Sequence, residues 1–422
     1  MHVSTLSLRV TVLSCILLAS SPARADVWVA VNSTGAGALP RVAKLASDGR
    51  ILFTVDSVFG RPFRYCIGVN IIAVDPRNGH AWVSDVNNNR VFELNADGEP
   101  LREVTLFAPV GIEIDANNGA VWTSILTQGF EGAIVKLDPD TGQARVTVTG
   151  FSGGVLALAV GPSGQVWVAD RFNNEVVVLF GTDEELDGYD ASTPAGAHHL
   201  RSGGFDEPFD IDVDPRNGSN GVAAAWVADR THGEAVKIGS NGTELVRTHP
   251  TSFVESHFVS VDSRDGSVWV ADEFSSRLAK LSALGEETLN QHVAFPTALK
   301  VDAAEDAVWL GTGFLEQARL RKLDRNGAEL LSVSGLSTVC GIGVTSLATV
   351  VIDGCDSGVP NAILPSGHTI SDHIAACRQA ASNHGQFVRC GAYTTNELVK
   401  AGIIDGQQKG AIQQCAARAR VR

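Results

Sequence analysis

The chain has 422 residues, of which 44% are hydrophobic and 19% are charged. This balance excludes a disordered chain and supplies enough apolar surface for a large core. The net charge of −14 at pH 7 argues against a partner that is nucleic acid or an anionic lipid surface.

Residues 1–25 have the pattern of a secretory signal peptide. Arg9 precedes a short apolar run, and Ala-Arg-Ala at 23–25 matches the small-x-small cleavage site. We therefore expect cleavage after Ala25 and a secreted or periplasmic protein. The apolar run is too short to span a membrane, and we expect no membrane-spanning segment elsewhere. An alternative is lipid attachment at Cys15, which lies inside the apolar run.

All 7 Trp residues occupy one position of a repeated sequence. The copies read VWVAVN, AWVSDV, VWTSIL, VWVADR, AWVADR, VWVADE and VWLGTG, and contain Trp28, Trp82, Trp122, Trp167, Trp226, Trp269 and Trp309. A degenerate eighth copy, TVVIDG, has Val350 in the Trp position. The β-branched and aromatic residues predict that each copy is a β-strand.

Further predicted strands surround each copy. Most copies follow a strand that ends in Asp and a turn, as in IIAVDPRNGH from residue 71 and FDIDVDPRNG from residue 209. Asp-Pro and Asn-Gly favour tight turns, because Asx side chains bond the turn backbone and Gly accepts a positive φ. A third strand and often a fourth follow the Trp copy. Four antiparallel strands repeated at roughly forty to fifty residues are the signature of a β-propeller.

The repeats predict an all-β propeller of seven four-stranded blades. Predicted inner strands begin at residues 70, 110, 156, 209, 257, 297 and 340. The first Trp copy has no inner strand before it, whereas CGIGV, the last inner strand, is followed only by the degenerate copy. We therefore expect the N-terminal strands to pair with this last inner strand and close the ring. Eight blades are the alternative, if TVVIDG and NAILPS form a blade of their own.

The repeats resemble those of a known class of propellers. VWVADRFNNEVVVL and VSDVNNNRVFELNADG are similar to NHL-type repeats and to the related streptogramin-lyase-like propellers. The resemblance implies an NHL-like propeller domain over residues 26–366. It implies no single function, because propellers carry many unrelated activities.

Residues 367–422 depart from the repeats and are predicted to form a small α-helical tail. Apolar residues recur there at helical spacing, and TTNELVKAG has a Thr or Asn cap, a helical run and a C-terminal Gly. The pattern predicts two or three short helices. The stretch from NHGQFVRC to GAIQQCA also resembles a tail of exported bacterial proteins, which implies a bacterial origin.

Six cysteines follow the signal peptide: Cys66, Cys340, Cys355, Cys377, Cys390 and Cys415. An even number in an exported chain indicates disulfides rather than thiol chemistry. Three lie in the predicted propeller and three in the tail, so full pairing requires an odd number of bridges between them. Cys340 and Cys355 lie on neighbouring predicted strands and are a candidate pair, and Cys66 is a candidate partner for a tail cysteine. The sequence leaves the other pairings open.

The first candidate site lies where the inner strands begin, at the mouth of the central funnel. Residues at this position are Asn70, Val110, Leu156, Phe209, His257, Thr297 and Cys340, so His257 is the one imidazole. In streptogramin-lyase-like propellers a His enters an inner strand and an acid follows the Trp strand of the same blade, which makes Asp272 the acid. The resemblance implies a general base or a Mg²⁺ ligand. The alternative is a packing role for His257 and an ion pair of Asp272 with Arg277, like that expected between Asp85 and Arg90.

The second candidate site consists of acids on the inner strands. Glu113 and Asp212 interrupt otherwise apolar strands, and Asp210 lies two residues before Asp212. Lactonase-like propellers, which the chain also resembles, place Glu, Asn and Asp around a divalent ion, and this implies a Ca²⁺ or Mg²⁺ site. A buried charge needs a partner, and Lys300, at the same position of another blade, is the alternative to a metal.

Two functions follow from these patterns. The first is a binding or scaffold module that uses the funnel face for an unidentified protein, glycan or small-molecule ligand. The second is a metal-dependent lyase or lactonase-like hydrolase with its site in the central funnel. An enzyme needs His257 with Asp272, or Glu113 with Asp212, to meet in one pocket. We expect a monomer in either case.

Overall fold

The computed structural model describes residues 26–32, 41–58, 61–62, 71–126, 131–192, 196–216, 223–314, 317–345, 349–352, 355–361, 370–381 and 383–419. The predicted signal peptide, Cys66 and Asn70 lie outside these ranges. Within them, no helix has both the length and the apolar character that a membrane span requires.

The described strands form seven four-stranded antiparallel blades. The chain opens with β1 (Val27–Asn32), β2 (Arg41–Leu45) and β3 (Ile51–Val55), and then a short hairpin of β4 (Ser57–Val58) and β5 (Arg61–Pro62). Blade 1 contains β6 (Ile72–Val74), β7 (Ala81–Asp85), β8 (Arg90–Leu94) and β9 (Pro100–Thr105). Blade 2 contains β10 (Pro109–Ile114), β11 (Val121–Leu126), β12 (Glu131–Leu137) and β13 (Ala144–Ser152). Blade 3 contains β14 (Val155–Val160), β15 (Val166–Asp170), β16 (Glu175–Leu179) and, after the one-turn helix α1 (Asp183–Leu186), β17 (His199–Ser202).

The remaining blades follow the same order from the inner to the outer strand. Blade 4 contains β18 (Pro208–Asp214), β19 (Ala224–Asp229), β20 (Glu234–Gly239) and β21 (Glu244–Thr248). Blade 5 contains β22 (Phe258–Val261), β23 (Val268–Asp272), β24 (Arg277–Leu281) and β25 (Glu287–His292). Blade 6 contains β26 (Pro296–Asp302), β27 (Ala307–Thr312), β28 (Arg319–Asp324) and β29 (Glu329–Val333). Blade 7 joins β30 (Thr338–Val344) to β1, β2 and β3.

The two ends of the propeller close the ring in blade 7. β1 pairs antiparallel with β30, and Val27 lies opposite Val344. Neighbouring inner strands contact one another around the ring, including β30 with β6. This confirms the predicted seven-bladed closure. The eight-bladed alternative is wrong, because TVVIDG contributes β31 (Thr349–Ile352), which forms a two-stranded hairpin with β32 (Cys355–Pro360).

The Trp residues form the packing between blades. Every one of the seven is at most 2% exposed. Each packs toward the next blade: Trp82 of blade 1 clusters with Ile112 of blade 2, and Trp226 of blade 4 clusters with Val259 of blade 5. Because a buried Trp removes roughly 150–250 Å² of surface from water, these contacts hold the ring together.

A cation covers most of these Trp rings and ties the blade to its neighbour. Lys ammonium groups lie 5.0–5.5 Å from the ring centres of five Trp residues, through Lys44, Lys136, Lys237, Lys280 and Lys322. Four of these groups also donate to a backbone carbonyl of the next blade, at Ala96, Ala283, Arg325 and Ser47. The fifth, Lys136, bonds Asp183 of α1 at 2.6 Å. One side chain therefore covers the aromatic ring and joins two blades.

The C-terminal tail contains three helices, α2 (Ile370–Ala380), α3 (His384–Lys400) and α4 (Gly406–Arg418). Their apolar side chains share a core with Val350, Ile352 and Val359 of the β31–β32 hairpin. The predicted helix start at TTNELVKAG is wrong, because α3 begins ten residues earlier, after the cap Asn383. Thr395 lies inside this helix, and its hydroxyl donates to the Gly391 carbonyl.

Disulfides link the hairpin and the helices. Cys355 pairs with Cys415, and Cys377 pairs with Cys390. The predicted Cys340–Cys355 bridge is therefore wrong, because Cys355 lies on the hairpin that packs against α4 rather than beside the inner strand. Cys340 is itself disulfide-bonded. The three tail cysteines are all paired, so none is available to Cys66, although one bridge does join the predicted propeller region to the tail.

Substitution of Lys322 tests the cation that joins blade 6 to blade 7. Lys322 is 5% exposed, bonds the Ser47 carbonyl at 3.2 Å and pairs with Glu305 at 2.8 Å. We expect Lys322→Met to lower the free energy of unfolding in urea by about 2–4 kcal/mol, because Glu305 loses its partner and one bond between blades is lost. The control Lys400→Met, on an exposed face of α3, should change it by less than about 0.5 kcal/mol. Equal effects of the two substitutions would contradict this role.

Candidate functional site

The loops of the propeller divide between two faces of the ring. Strands within a blade alternate in direction, so the loops between second and third strands share a face with the loops that lead into the next inner strand. We call this the entry face, because each inner strand begins there, and the opposite face the exit face. The exposed Phe side chains of the described residues all lie on entry-face loops: Phe107, Phe172, Phe274, Phe295 and Phe314.

A chain of ion pairs crosses the entry face over blades 3, 4 and 5. Glu207 contacts Arg171 at 2.6 Å and Arg230 at 2.5 Å. Arg230 also contacts Glu255 at 2.7 Å, and Glu255 lies 3.3 Å from Nε2 of His257. Although burial acts in the other direction, the two arginines hold the pKa of Glu207 below its usual value. The alternating signs give each charge a partner on a partly exposed surface.

His257 lies beside this chain of ion pairs and is only 3% exposed. Its ring packs edge-on against Phe209 at 5.4 Å and lies 5.2 Å from Phe274. Burial, together with the charge of Arg230, lowers the pKa of His257 to about 4. The imidazole is therefore neutral at pH 7, and it is enclosed by aromatic rings rather than open to the funnel.

Asp272 is fully buried and organises the loops around it. Its carboxylate accepts bonds from the backbone N–H groups of Val254 and Glu255 and of the turn at 274–275, at 2.7–3.1 Å. The nearest approach to His257 is 3.9 Å, from Oδ1 to Nδ1. The predicted pair is therefore adjacent, but the acid is occupied by backbone.

The two Asp–Arg pairs expected from the sequence differ. Arg90 lies 2.9 Å from Asp85, which confirms the first pair, and it also bonds Glu103 at 2.8 Å while being fully buried. The second is wrong, since no ion pair joins Asp272 to Arg277 among the described residues. The backbone N–H groups around Asp272 already supply the donors that the guanidinium provides to Asp85.

Asp210 and Asp212 connect two inner strands. Oδ2 of Asp210 accepts from the Val259 N–H at 3.0 Å, and Oδ2 of Asp212 accepts from the Val261 N–H at 2.9 Å and the Ser260 hydroxyl at 3.1 Å. Burial raises the pKa of Asp210 to about 7, against the opposing effect of the Val259 bond. Both carboxylates of β18 thus bond β22, the inner strand of the next blade.

Glu113, Asp212 and Lys300 line one cavity on the propeller axis, with a volume of about 390 Å³. Nζ of Lys300 lies 3.9 Å from Oδ2 of Asp212, as the alternative pairing predicted. His257 and Asp272 do not line this cavity. The two candidate sites from the sequence are therefore separate, one beside the entry face and one farther along the axis.

One further group among the described residues has the spacing of metal ligands. Asp229, His232 and Glu234 bring their ligand atoms within 4.8 Å of one another. Arg247 already contacts Asp229 at 3.0 Å and Glu234 at 2.6 Å. Because the guanidinium neutralises this group, it is an ion-pair cluster on blade 4.

Comparison with known proteins gives a similarity of fold. No family model and no curated protein matches the chain. The chain is similar to the structure of a catalytically inactive virginiamycin B lyase from Staphylococcus aureus with quinupristin, at 15% identity and a TM-score of 0.49, over 68% of this chain and 87% of that one. A selenomethionine-substituted form of that lyase is 14% identical, also with a TM-score of 0.49, over 68% of this chain and 96% of that one.

The sequence prediction missed the entry-face residues around Phe209. Arg171 and Arg230 lie 5.5 and 5.7 Å from its ring, and Glu207 joins the two arginines. The available signal was the recurrence of Arg directly after VWVAD and AWVAD in two successive blades. Its meaning depends on Glu207, which belongs to a loop between the blades and is not part of the repeat.

The low pKa of His257 predicts a pH-dependent stability. The folded pKa of about 4 lies below the ordinary 6.5, so the unfolded chain binds this proton first as the pH falls. The His257 contribution is therefore present above about pH 6.5 and is lost toward pH 4. We expect the difference in unfolding free energy between the native protein and His257→Phe to shrink over this range in urea titrations. Asp210, which acts with the opposite sign, is common to both proteins, and a pH-independent difference would contradict the assignment.

The unequal Asp–Arg pairs provide a second prediction. Arg90→Ala leaves Asp85 buried without its cation, so we expect a loss of about 3–5 kcal/mol in unfolding free energy. Arg277→Ala, at the same repeat position, should cost less than about 1 kcal/mol. Urea unfolding of both variants measures the two losses of unfolding free energy. A large loss in Arg277→Ala would indicate that Arg277 does form the ion pair with Asp272 that the sequence predicted.

Proposed function

We propose that this protein is an exported binding module that recognises its partner through the entry face. The observation that carries this proposal is the position of the exposed Phe side chains. All five lie on entry-face loops of the propeller, with Phe172 and Phe274 each 61% exposed. Aromatic side chains placed together on one face mark an interaction surface, because a monomer gains nothing from leaving them in water.

The backbone of the same loops supports this proposal. Ala108, Glu207 and Phe295 have φ values of 42°, 57° and 45°, and each directly precedes a proline that begins an inner strand. Holding a non-glycine residue in this left-handed conformation raises the free energy of the folded state by roughly 1–2 kcal/mol. Such strain is concentrated where a loop must hold a particular shape for binding.

The surface favours an apolar peptide segment as the partner. The Phe rings offer apolar contact, while the ion pairs between Arg171, Glu207, Arg230 and Glu255 are already satisfied within the protein. A partner therefore gains most by covering the rings and least by bringing charges of its own. The net charge of −14 disfavours acidic partners.

The catalytic alternative has less support from the same geometry. The carboxylate of Asp272 accepts hydrogen bonds from backbone N–H groups, and the imidazole of His257 is buried. Glu113 and Asp212 do share a cavity, but Lys300 shares it with them. A divalent ion between the two acids has to overcome the repulsion of that ammonium group.

Selection from a random peptide library tests the proposal. Peptides are selected on the native protein, and their affinity is then measured by biolayer interferometry against two double variants. We expect Phe172→Ser/Phe274→Ser to weaken binding at least about tenfold. The control Leu245→Ser/Leu330→Ser removes side chains that are 54% and 57% exposed on outer strands, and should leave the affinity unchanged.

Two outcomes would overturn the proposal. Peptides that bind all variants equally would place the interaction elsewhere. Binding on a glycan array, lost in the Phe variant and absent for every peptide, would keep the surface but replace the partner class. Circular dichroism confirms that each variant is folded, which is expected because the substituted side chains are exposed.

A further inference from the structure

The axial cavity lies at a layer of the propeller to which each blade contributes one equivalent residue, and five of these seven residues line it. The inner-strand residue opposite each repeated Trp forms this layer, which contains Ala73, Glu113, Ala159, Asp212, Ser260, Lys300 and Gly343. Four of the seven are small, so they leave room on the axis. The three large ones are ionisable and alternate with the small ones around the ring. The layer is therefore a space with charges at defined positions.

The walls of the cavity are apolar, and its mouth is on the exit face. Ile72, Val160 and Ile342 contribute the walls, and Pro76 and Pro215, in turns after inner strands, lie at the mouth. The volume of about 390 Å³ is in the range of small-molecule pockets. This mouth is opposite the face of the exposed Phe residues, so the cavity is distinct from the proposed partner surface.

Lys300 presents to this space a cation that is ion-paired but donates no hydrogen bond to a described residue. Its ammonium group makes no hydrogen bond to any described residue, and its nearest acid, Asp212, is 3.9 Å away. Oδ2 of Asp212 already accepts from the Ser260 hydroxyl and the Val261 N–H. The charge of Asp212 raises the pKa of Lys300 to about 12. Three N–H donors of a permanent cation are thus available inside the cavity.

Glu113 presents the opposite charge from another blade. Among the described residues it accepts one hydrogen bond, from the adjacent Ile114 N–H to Oε1 at 3.1 Å. No residue in the described ranges donates a hydrogen bond to its second oxygen. Burial raises the pKa of this carboxyl, and the charge of Lys300 opposes that rise. An amine that reaches Glu113 would supply the missing donor and stabilise the ionised form.

We propose that the axial cavity binds a free apolar α-amino acid. Its carboxylate pairs with Lys300, its ammonium group pairs with Glu113, and its side chain lies against the aliphatic wall. A zwitterion satisfies both signs of charge at once. A divalent ion instead meets Lys300, and a simple anion meets two carboxylates, so each leaves a repulsive contact in an enclosed space.

Isothermal titration calorimetry on the full mature protein tests this proposal. The full chain is needed because the tail continues from β30, whose last residue, Val344, lines the cavity. The probes are L-leucine, L-phenylalanine, N-acetyl-L-phenylalanine, which lacks the amine, and phenethylamine, which lacks the carboxylate. We expect binding of at least one amino acid at one site per chain, and at least about tenfold weaker binding of both truncated analogues.

Substitutions of the two residues that pair with the charged groups of the ligand complete the test. Lys300→Met and Glu113→Gln should each weaken amino-acid binding at least about tenfold. Lys300→Arg keeps the positive charge and should retain part of the binding affinity, which provides a second test of the cation if Lys300→Met is poorly folded. Lys400→Met, on the exposed surface of α3, and Phe172→Ser/Phe274→Ser should bind as the native protein does. The last variant separates this site from the entry face.

Three results would overturn the proposal. One is that no amino acid binds the native protein. The second is that phenethylamine binds as tightly as phenylalanine and is unaffected by Lys300→Met, which would make the cavity a pocket for cations. The third is that Ca²⁺ or Mg²⁺ binds in place of the amino acid and is lost in Glu113→Gln, which would make it a metal site.

Discussion

The propeller depends on the contact between a Trp on the second strand and a cation beside it. The Lys residues lie directly opposite their Trp on the third strand, as Lys44 does with Trp28 and Lys322 with Trp309. Blade 1 has Glu93 at this position, and Arg102 of the fourth strand covers Trp82 instead. The stem of the cation excludes water from the ring, and its head bonds the next blade. Six of the seven blades have this contact, and in blade 3 the apolar Val178 lies opposite Trp167 instead.

A repeated contact also explains why equivalent positions of the blades can be compared. Because every Trp has the same register with its inner strand, the residue opposite it always lies at the same depth on the axis. The contact of the Trp with its cation therefore does not determine which residue type occupies that position. Small residues there open space, while Glu113, Asp212 and Lys300 introduce charge. Within each blade, the second and third strands thus provide the Trp contact that packs the blades, whereas the inner strand provides the residue that faces the axis.

The sequence predicts the propeller well because its signals are local and repeated. Seven Trp copies, turn residues and the missing first inner strand are enough for the blade count and the closure by β1 and β30. The errors fall where partners are distant along the chain. Cys355 pairs with Cys415 because the hairpin packs on α4, and Asp272 bonds backbone at 254 and 255 rather than Arg277. Charges inside apolar strands, such as Glu113, are visible in a sequence, whereas exposed Phe residues become a surface only when loops from different blades meet.

The inner strands provide a physical route between the two ends of the axis. His257 enters β22 beside the entry face, and in the same strand Val259 and Val261 bond Asp210 and Asp212 of β18. The Ser260 hydroxyl then accepts from the Val301 N–H, next to Lys300 on β26. Inner strands of different blades are not joined in one sheet, so these side-chain bonds carry the contact between them. In blades 4, 5 and 6, side-chain hydrogen bonds therefore join each inner strand to the next one, from Asp210 and Asp212 on β18 through Ser260 on β22 to β26.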